Sequence, residues 1–84
     1  MNIELYTVNY CPYCKKALAF LDGKNVEYKN NDITDNEEMM RAELGKRYGI
    51  TERVTVPQII IDGKNIGGYT DMINLYSTGK LKFD

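Results

Sequence analysis

Eighty-four residues suffice for one small domain with a modest core. A hydrophobic share of 43% and a charged share of 27% are ordinary for a globular chain, and a net charge of −1 gives no basis for binding nucleic acid or an anionic membrane. No apolar run approaches the roughly 20 residues that cross a bilayer, and both cysteines lie in one CxxC without an export signal ahead of them, so a reducing, cytoplasmic setting is expected.

Ile3-Glu4-Leu5-Tyr6-Thr7-Val8 sets Ile3 and Leu5 against Glu4 and Tyr6, an alternation that predicts a first strand. Pro12 suits the first turn of a helix because its φ is already fixed and it has no N–H to lose. Ala17, Leu18 and Leu21 follow at helical spacing, with Gly23 after Asp22 as the stop. Val26 to Lys29 reads as a second short strand, parallel to the first because a helix separates the two. Thr34-Asp35-Asn36-Glu37 fits a capping box, in which the Thr34 hydroxyl and Glu37 carboxylate satisfy helix-start donors reciprocally. Met40, Leu44 and Tyr48 then share one helical face, and Gly49 follows the basic Lys46 and Arg47. Val56 to Ile61 and Lys64 to Ile66 flank Asp62-Gly63, a pair favouring the positive φ values of a type I′ hairpin turn. A last helix is expected from Asp71 to Ser77, with Met72, Ile73 and Tyr76 on one side. The order β-α-β-α-β-β-α predicts an α/β, thioredoxin-like fold: a mixed four-stranded sheet with helices on both faces, forming a single domain over residues 1–84.

Cys11-Pro12-Tyr13-Cys14 stands where the first strand gives way to the first helix. One helical turn brings two thiols so spaced to a Cα separation of roughly 5–6 Å, within reach of a disulfide. At the mouth of a helix, free N–H groups and the helix dipole favour the thiolate of Cys11, and Lys15 nearby acts in the same sense. Cys14 falls in the first turn, less exposed, with its sulfur directed at Cys11. The motif alone is compatible with a thioredoxin, a glutaredoxin or half a metal site. Tetrahedral zinc normally takes four Cys or His ligands, and this chain has no His and no third Cys.

Two further segments distinguish among these. Thr55-Val56-Pro57 and Gly67-Gly68-Tyr69-Thr70-Asp71 follow the CxxC in order, and the three motifs together resemble the active-site, proline-loop and glutathione-binding segments of dithiol glutaredoxins, the small bacterial and phage members above all. The likeness spans essentially the whole chain. It implies a glutathione-dependent thiol–disulfide oxidoreductase acting on protein disulfides and glutathione mixed disulfides, as a monomer without a metal, with ribonucleotide reductase as a candidate electron acceptor. Cys11 is then the nucleophile and Cys14 the resolving thiol of a redox-active Cys11–Cys14 disulfide. Tyr13, Thr55, Val56, Pro57, Gly68, Tyr69, Thr70 and Asp71 become the glutathione-binding set.

Within that set the resemblance implies a cis bond before Pro57, which turns the Val56 backbone towards Cys11, where it pairs with the cysteine of glutathione as a short strand would. Gly67-Gly68 allow a close approach. The backbone of Thr70 and Asp71, at a helix start, suits the γ-glutamyl carboxylate, and the Asp71 side chain suits its ammonium. Glutaredoxin potentials lie at roughly −200 to −230 mV, above the roughly −270 mV of thioredoxin, which lets glutathione act as reductant. The absence of Trp and the Pro-Tyr between the cysteines separate the chain from thioredoxins, and Pro12 argues against the cluster-binding members. One departure stands out. Many relatives carry a cation shortly before the first cysteine, whereas Thr7-Val8-Asn9-Tyr10 has none, leaving Arg41, Lys46 and Arg47 as candidates for the glycine carboxylate.

Overall fold

β1 (Ile3–Thr7) is the second strand of a four-stranded sheet ordered β2-β1-β3-β4, with β2 at Lys29–Asp32, β3 at Gln58–Ile61 and β4 at Lys64–Gly67. The computed structural model describes residues 1–83. β1 pairs in parallel with β2 and antiparallel with β3, which pairs antiparallel with β4. The helices are α1 (Pro12–Gly23), α2 (Glu37–Tyr48) and α3 (Tyr69–Ser77), with a single 3₁₀ turn at Thr34–Asn36 ahead of α2.

Because both faces of the sheet are covered, its central strands are apolar on both sides. Ile3, Leu5, Ile59 and Ile61 point to one face and pack with Ala17 and Leu21 of α1, Met72 of α3, and Leu81. Tyr6 and Ile60 point to the other and pack with Leu44 of α2, Val8, Ile33, Val54, and both cysteines. Met40 and Tyr48 join Leu44 there, as their spacing along α2 predicts. On α3 the core-facing pair is Met72 with Leu75, while Tyr76 stacks on Phe83 and meets Phe20 edge-on.

Several boundaries differ from the sequence expectations. β2 begins three residues beyond Val26, so only Lys29 is common to the expected and observed strands. Val26 and Tyr28 are partly buried against the core from the connection, which accounts for their apolar signal. The observed strand, Lys29-Asn30-Asn31-Asp32, is polar because it lies at the sheet edge. β3 begins at Gln58, since Thr55 to Pro57 form a loop containing the cis Val56–Pro57 bond.

The capping box expected at Thr34 does not form. Thr34 instead donates its hydroxyl to the Asp32 carboxylate and accepts the Asn9 backbone N–H at 2.9 Å, tying the connection after β1 to the end of β2. Gly49 ends α2 in the left-handed conformation at φ 68° as expected. Gly23 is instead the last residue of α1, and Asn25 takes the positive φ beyond it. Asp62 and Gly63 have φ values of 52° and 81°, as a type I′ turn requires.

Candidate active site

Cys11 is the N-cap of α1, in extended conformation, with Pro12 as the first helical residue and Cys14 as the third. The Cys14 backbone N–H donates to Cys11 Sγ at 3.1 Å. In this way the sulfur takes the place that a Ser or Asp oxygen holds in an ordinary helix cap. It also sits at the positive end of the helix dipole. On its other side Cys11 Sγ lies 3.7 Å from the Val56 carbonyl oxygen, to which the protonated thiol donates. The proline loop is therefore beside the nucleophile position, as its role in the resemblance demands.

Both cysteines are free thiols. Cys11 is 8% exposed and Cys14 1%. Burial pushes the Cys14 thiol up to about 12, the hydrogen bond with Cys11 acting in the same direction. The pair is thus asymmetric: Cys11 Sγ accepts the Cys14 backbone N–H at the mouth of the helix, while Cys14 lies deeper with its thiol held protonated.

A groove of about 330 Å³ opens beside the first sulfur. It is lined by Tyr13, Thr55, Val56, Pro57, Gly68, Tyr69, Thr70 and Asp71, so all eight residues assigned to glutathione from the sequence border one concavity. Two larger grooves of about 500 and 650 Å³ lie nearby, the first bordered by Arg41 and Val54 and the second by Thr55 and Asp71 but by no other residue of the set. Tyr13, 55% exposed, faces Tyr69 across the groove with ring centroids 6.1 Å apart.

α3 begins two residues earlier than expected, at Tyr69, which makes Gly68 its N-cap. The first helical bond runs from the Met72 N–H to the Gly68 carbonyl, so the N–H groups of Tyr69, Thr70 and Asp71 are left without helical partners. The Asp71 carboxylate accepts the Gly68 N–H at 2.9 Å, the reciprocal contact of a capping box. Asp71 therefore caps as well as borders the groove. Gly67 has φ 102°, and a Cβ there would collide with the Asp71 carboxylate, whereas one on Gly68 would meet only ordinary contacts.

The candidate cations separate clearly. Arg47 donates to the Tyr6 hydroxyl at 3.2 Å and to Glu43 at 2.8 Å, on the sheet-facing side of α2. Lys46 is exposed. Arg41 alone reaches the site's surroundings, donating to the Val54 carbonyl at 2.5 Å and to Glu37 at 2.7 Å.

Two contributors were not identified from the sequence. Gln58, buried at the start of β3, donates to the Thr55 carbonyl at 2.8 Å and accepts from Asn65 at 2.9 Å, bracing the proline loop from behind. Tyr10 donates to Glu37 at 2.5 Å. The i, i+4 spacing of Glu37 and Arg41 was a legible signal for an ion pair, but nothing local ties Tyr10 to it. Among the described residues no cluster of three or more His, Cys, Asp or Glu is gathered that could hold a metal ion.

Comparison with known proteins agrees with this geometry. The sequence model of the glutaredoxin family matches residues 3–66. Glutaredoxin 3 of Escherichia coli K12 is 44% identical over 80 residues, covering 95% of this chain and 92% of its own. Glutaredoxin 1 of Rickettsia bellii is 40% identical over 79 residues, covering 94% and 81% respectively. Among solved structures, a buckwheat glutaredoxin in complex with glutathione superposes with a TM-score of 0.81 at 29% identity, over 94% of this chain and 71% of that one. A dithiolic glutaredoxin of Trypanosoma brucei brucei gives 0.80 at 30% identity, over 94% and 80%. The chain belongs to the glutaredoxin family and is a thiol–disulfide oxidoreductase.

Proposed function

We propose that the protein uses glutathione as its reductant, acting on glutathione mixed disulfides and on protein disulfides, with Cys11 as nucleophile. The observation that carries this reading is the groove beside Cys11, bordered by the proline loop and by the open N-terminus of α3. Glutathione is an extended tripeptide with a carboxylate at each end. Its cysteine backbone suits pairing with the Val56 N–H and C=O, which places its sulfur against Cys11. Its γ-glutamyl carboxylate suits the free N–H groups of Tyr69 to Asp71, and its ammonium suits the Asp71 carboxylate. Arg41 is the cation we assign to the glycine carboxylate in place of the one missing before Cys11.

In the monothiol reaction the Cys11 thiolate attacks the glutathione sulfur of a mixed disulfide, and the protein thiolate leaves. A second glutathione thiolate then attacks the Cys11–glutathione bond, giving oxidised glutathione and restoring Cys11. In the dithiol reaction Cys11 attacks a protein disulfide. Cys14 then gives up its proton and displaces the substrate sulfur, forming the Cys11–Cys14 disulfide that two glutathiones reduce. Holding Cys14 protonated at about 12 keeps it from competing as a nucleophile. Once Cys11 is tied up in a mixed disulfide, the hydrogen-bonding and charge contributions of its sulfur to that upward push are lost.

The test is a glutathione-coupled assay on a small mixed disulfide alongside a protein disulfide. Cys14→Ser is expected to keep removal of glutathione and to lose at least tenfold in dithiol-dependent reduction, while Cys11→Ser loses both. Equal loss of both activities in Cys14→Ser would show that the division of labour is wrong. On the family resemblance we extend the proposal to a cytoplasmic monomer with ribonucleotide reductase among its recipients. Trapping mixed disulfides on Cys11 of the Cys14→Ser variant in a cell extract identifies them.

A further inference from the structure

A second group of side chains approaches the dithiol from α2 and stands outside the groove. Glu37, the first residue of α2, accepts from the Tyr10 hydroxyl on one oxygen at 2.5 Å and from Arg41 on the other at 2.7 Å. Tyr10 immediately precedes Cys11. Arg41 also donates to the Val54 carbonyl at 2.5 Å, and Val54 leads through Thr55 to Val56, whose carbonyl lies 3.7 Å from Cys11 Sγ. One carboxylate thus joins the two segments that meet at the nucleophile.

The pair is unlike an ordinary i, i+4 pair on a helix surface, because the Arg41 and Glu37 side chains are only 12% and 15% exposed. Arg41 Nε is buried without a hydrogen-bond partner among the described residues. Besides Tyr10 and Arg41, the groups that face Glu37 are Glu38, its neighbour on α2, and Arg53, on the loop before Pro57. Arg53 pairs with both oxygens of Glu38 at 2.6 and 2.7 Å and stands 3.7 Å from Glu37. Glu37 is therefore the counter-charge in direct contact with Arg41, whose guanidinium is held on the Val54 carbonyl. Val54 packs in the same core cluster as both cysteines, and there Arg41 is a minor influence opposing the upward push on Cys14.

We propose that Glu37 is a positioning residue that masks the positive charge of Arg41 from the Cys11–Cys14 pair, and so sets the pH range over which Cys11 reacts. This rests on the reading of Cys11 as the attacking thiol. A paired charge acts at a distance as a weak dipole, whereas a lone guanidinium in the same place favours any thiolate near it. Glutamine at position 37 fits the same space, accepts from Arg41 with its oxygen and donates to the Tyr10 oxygen with its amide. Glu37→Gln therefore removes the charge and leaves the contacts.

The measurement is the rate of alkylation of the reduced protein by iodoacetamide against pH, with the modified cysteine identified by mass spectrometry. Glu37→Gln is expected to lower the midpoint by about half a pH unit at low salt, about threefold more thiolate below the midpoint. The shift should shrink markedly at about 1 M salt, where screening is short-ranged. Adding Arg41→Met should return the midpoint to that of the unaltered protein. An unchanged midpoint in Glu37→Gln, or a shift that survives high salt or Arg41→Met, overturns the proposal. Where the double variant does not fold, the salt series on Glu37→Gln decides alone. Alkylation falling first on Cys14 would refute the assignment of Cys11 as nucleophile, while the Glu37 effect is still read on the thiol that reacts.

Discussion

Cys11 and Cys14 share one helical turn and one side of the core but differ in depth, and the difference has a consequence for stability. The Cys14 thiol, held at about 12 mainly by burial, keeps its proton in the native state. In the unfolded chain a cysteine titrates near 8.5. A folded value above the unfolded one means that the contribution to stability is complete below about pH 8.5 and is lost as pH rises towards the folded value. The urea midpoint of the reduced protein is expected to fall between pH 8.5 and 10 more steeply than that of Cys14→Ser. Tyr6, raised above its ordinary 10.0 chiefly by burial, and Tyr10 and Tyr28, raised chiefly by hydrogen bonds to Glu37 and Asp22, act in the same direction in both proteins and begin later. Equal slopes for the two proteins below pH 10 would refute burial as the cause. The CxxC, its place at a helix mouth and the exposure order of its two sulfurs were all legible in the sequence, because each depends on neighbours within four residues.

At the scale of elements, the start of α3 shows how closely capping and binding are combined. Asp71 closes the helix through the Gly68 N–H, and Gly67 makes room for its carboxylate. Gly67→Ala must place a Cβ at φ 102° and against that carboxylate, which is expected to destabilise the protein by about 1–3 kcal/mol in urea unfolding. It should also raise the glutathione concentration needed for half-maximal rate while leaving Cys11 alkylation unchanged. Gly68→Ala, with only ordinary contacts around its Cβ, should do neither to the same degree. Boundaries were the less legible part of the sequence. Apolar Val26 and Tyr28 mimic a strand because a connection packs on the core, and the true strand is polar because it has only one neighbour. Thr34 and Glu37 have the spacing of a capping box, but Asp32, Asn9, Tyr10 and Arg41 offer those side chains other partners. Such competition is tertiary and leaves no local mark.

Across the whole molecule, the sheet divides the core into two compartments, and the dithiol belongs to only one of them. Leu44 lies with Cys11, Cys14, Val54 and Ile60, whereas Leu21 lies on the opposite side with Leu5, Ile59 and Met72. Both leucines are fully buried, so either change to Ala should cost about 2–5 kcal/mol. Their effects on reactivity should differ: Leu44→Ala loosens the packing beneath the cysteines and is expected to alter the pH profile of alkylation, while Leu21→Ala leaves it in place. Identical profiles for the two variants would show that the compartments are not independent. The two-sided core was legible from alternation in β1 and spacing in α2, but the bridge from Tyr10 to Glu37 spans 27 residues and emerges only from the packed chain.

β2 carries a further meaning for the molecule among its own copies. An outer strand offers unpaired backbone donors and acceptors along its free side, a template on which a second chain could extend the sheet. Here that strand is four residues long, with charged Lys29 and Asp32 at its ends and Asn30 and Asn31 between them. Any chain adding there would have to strip water from the exposed Lys29 and Asp32 over a contact too short to compensate. The polar composition that hid this strand from view in the sequence also makes this edge of the sheet a poor template for a second chain.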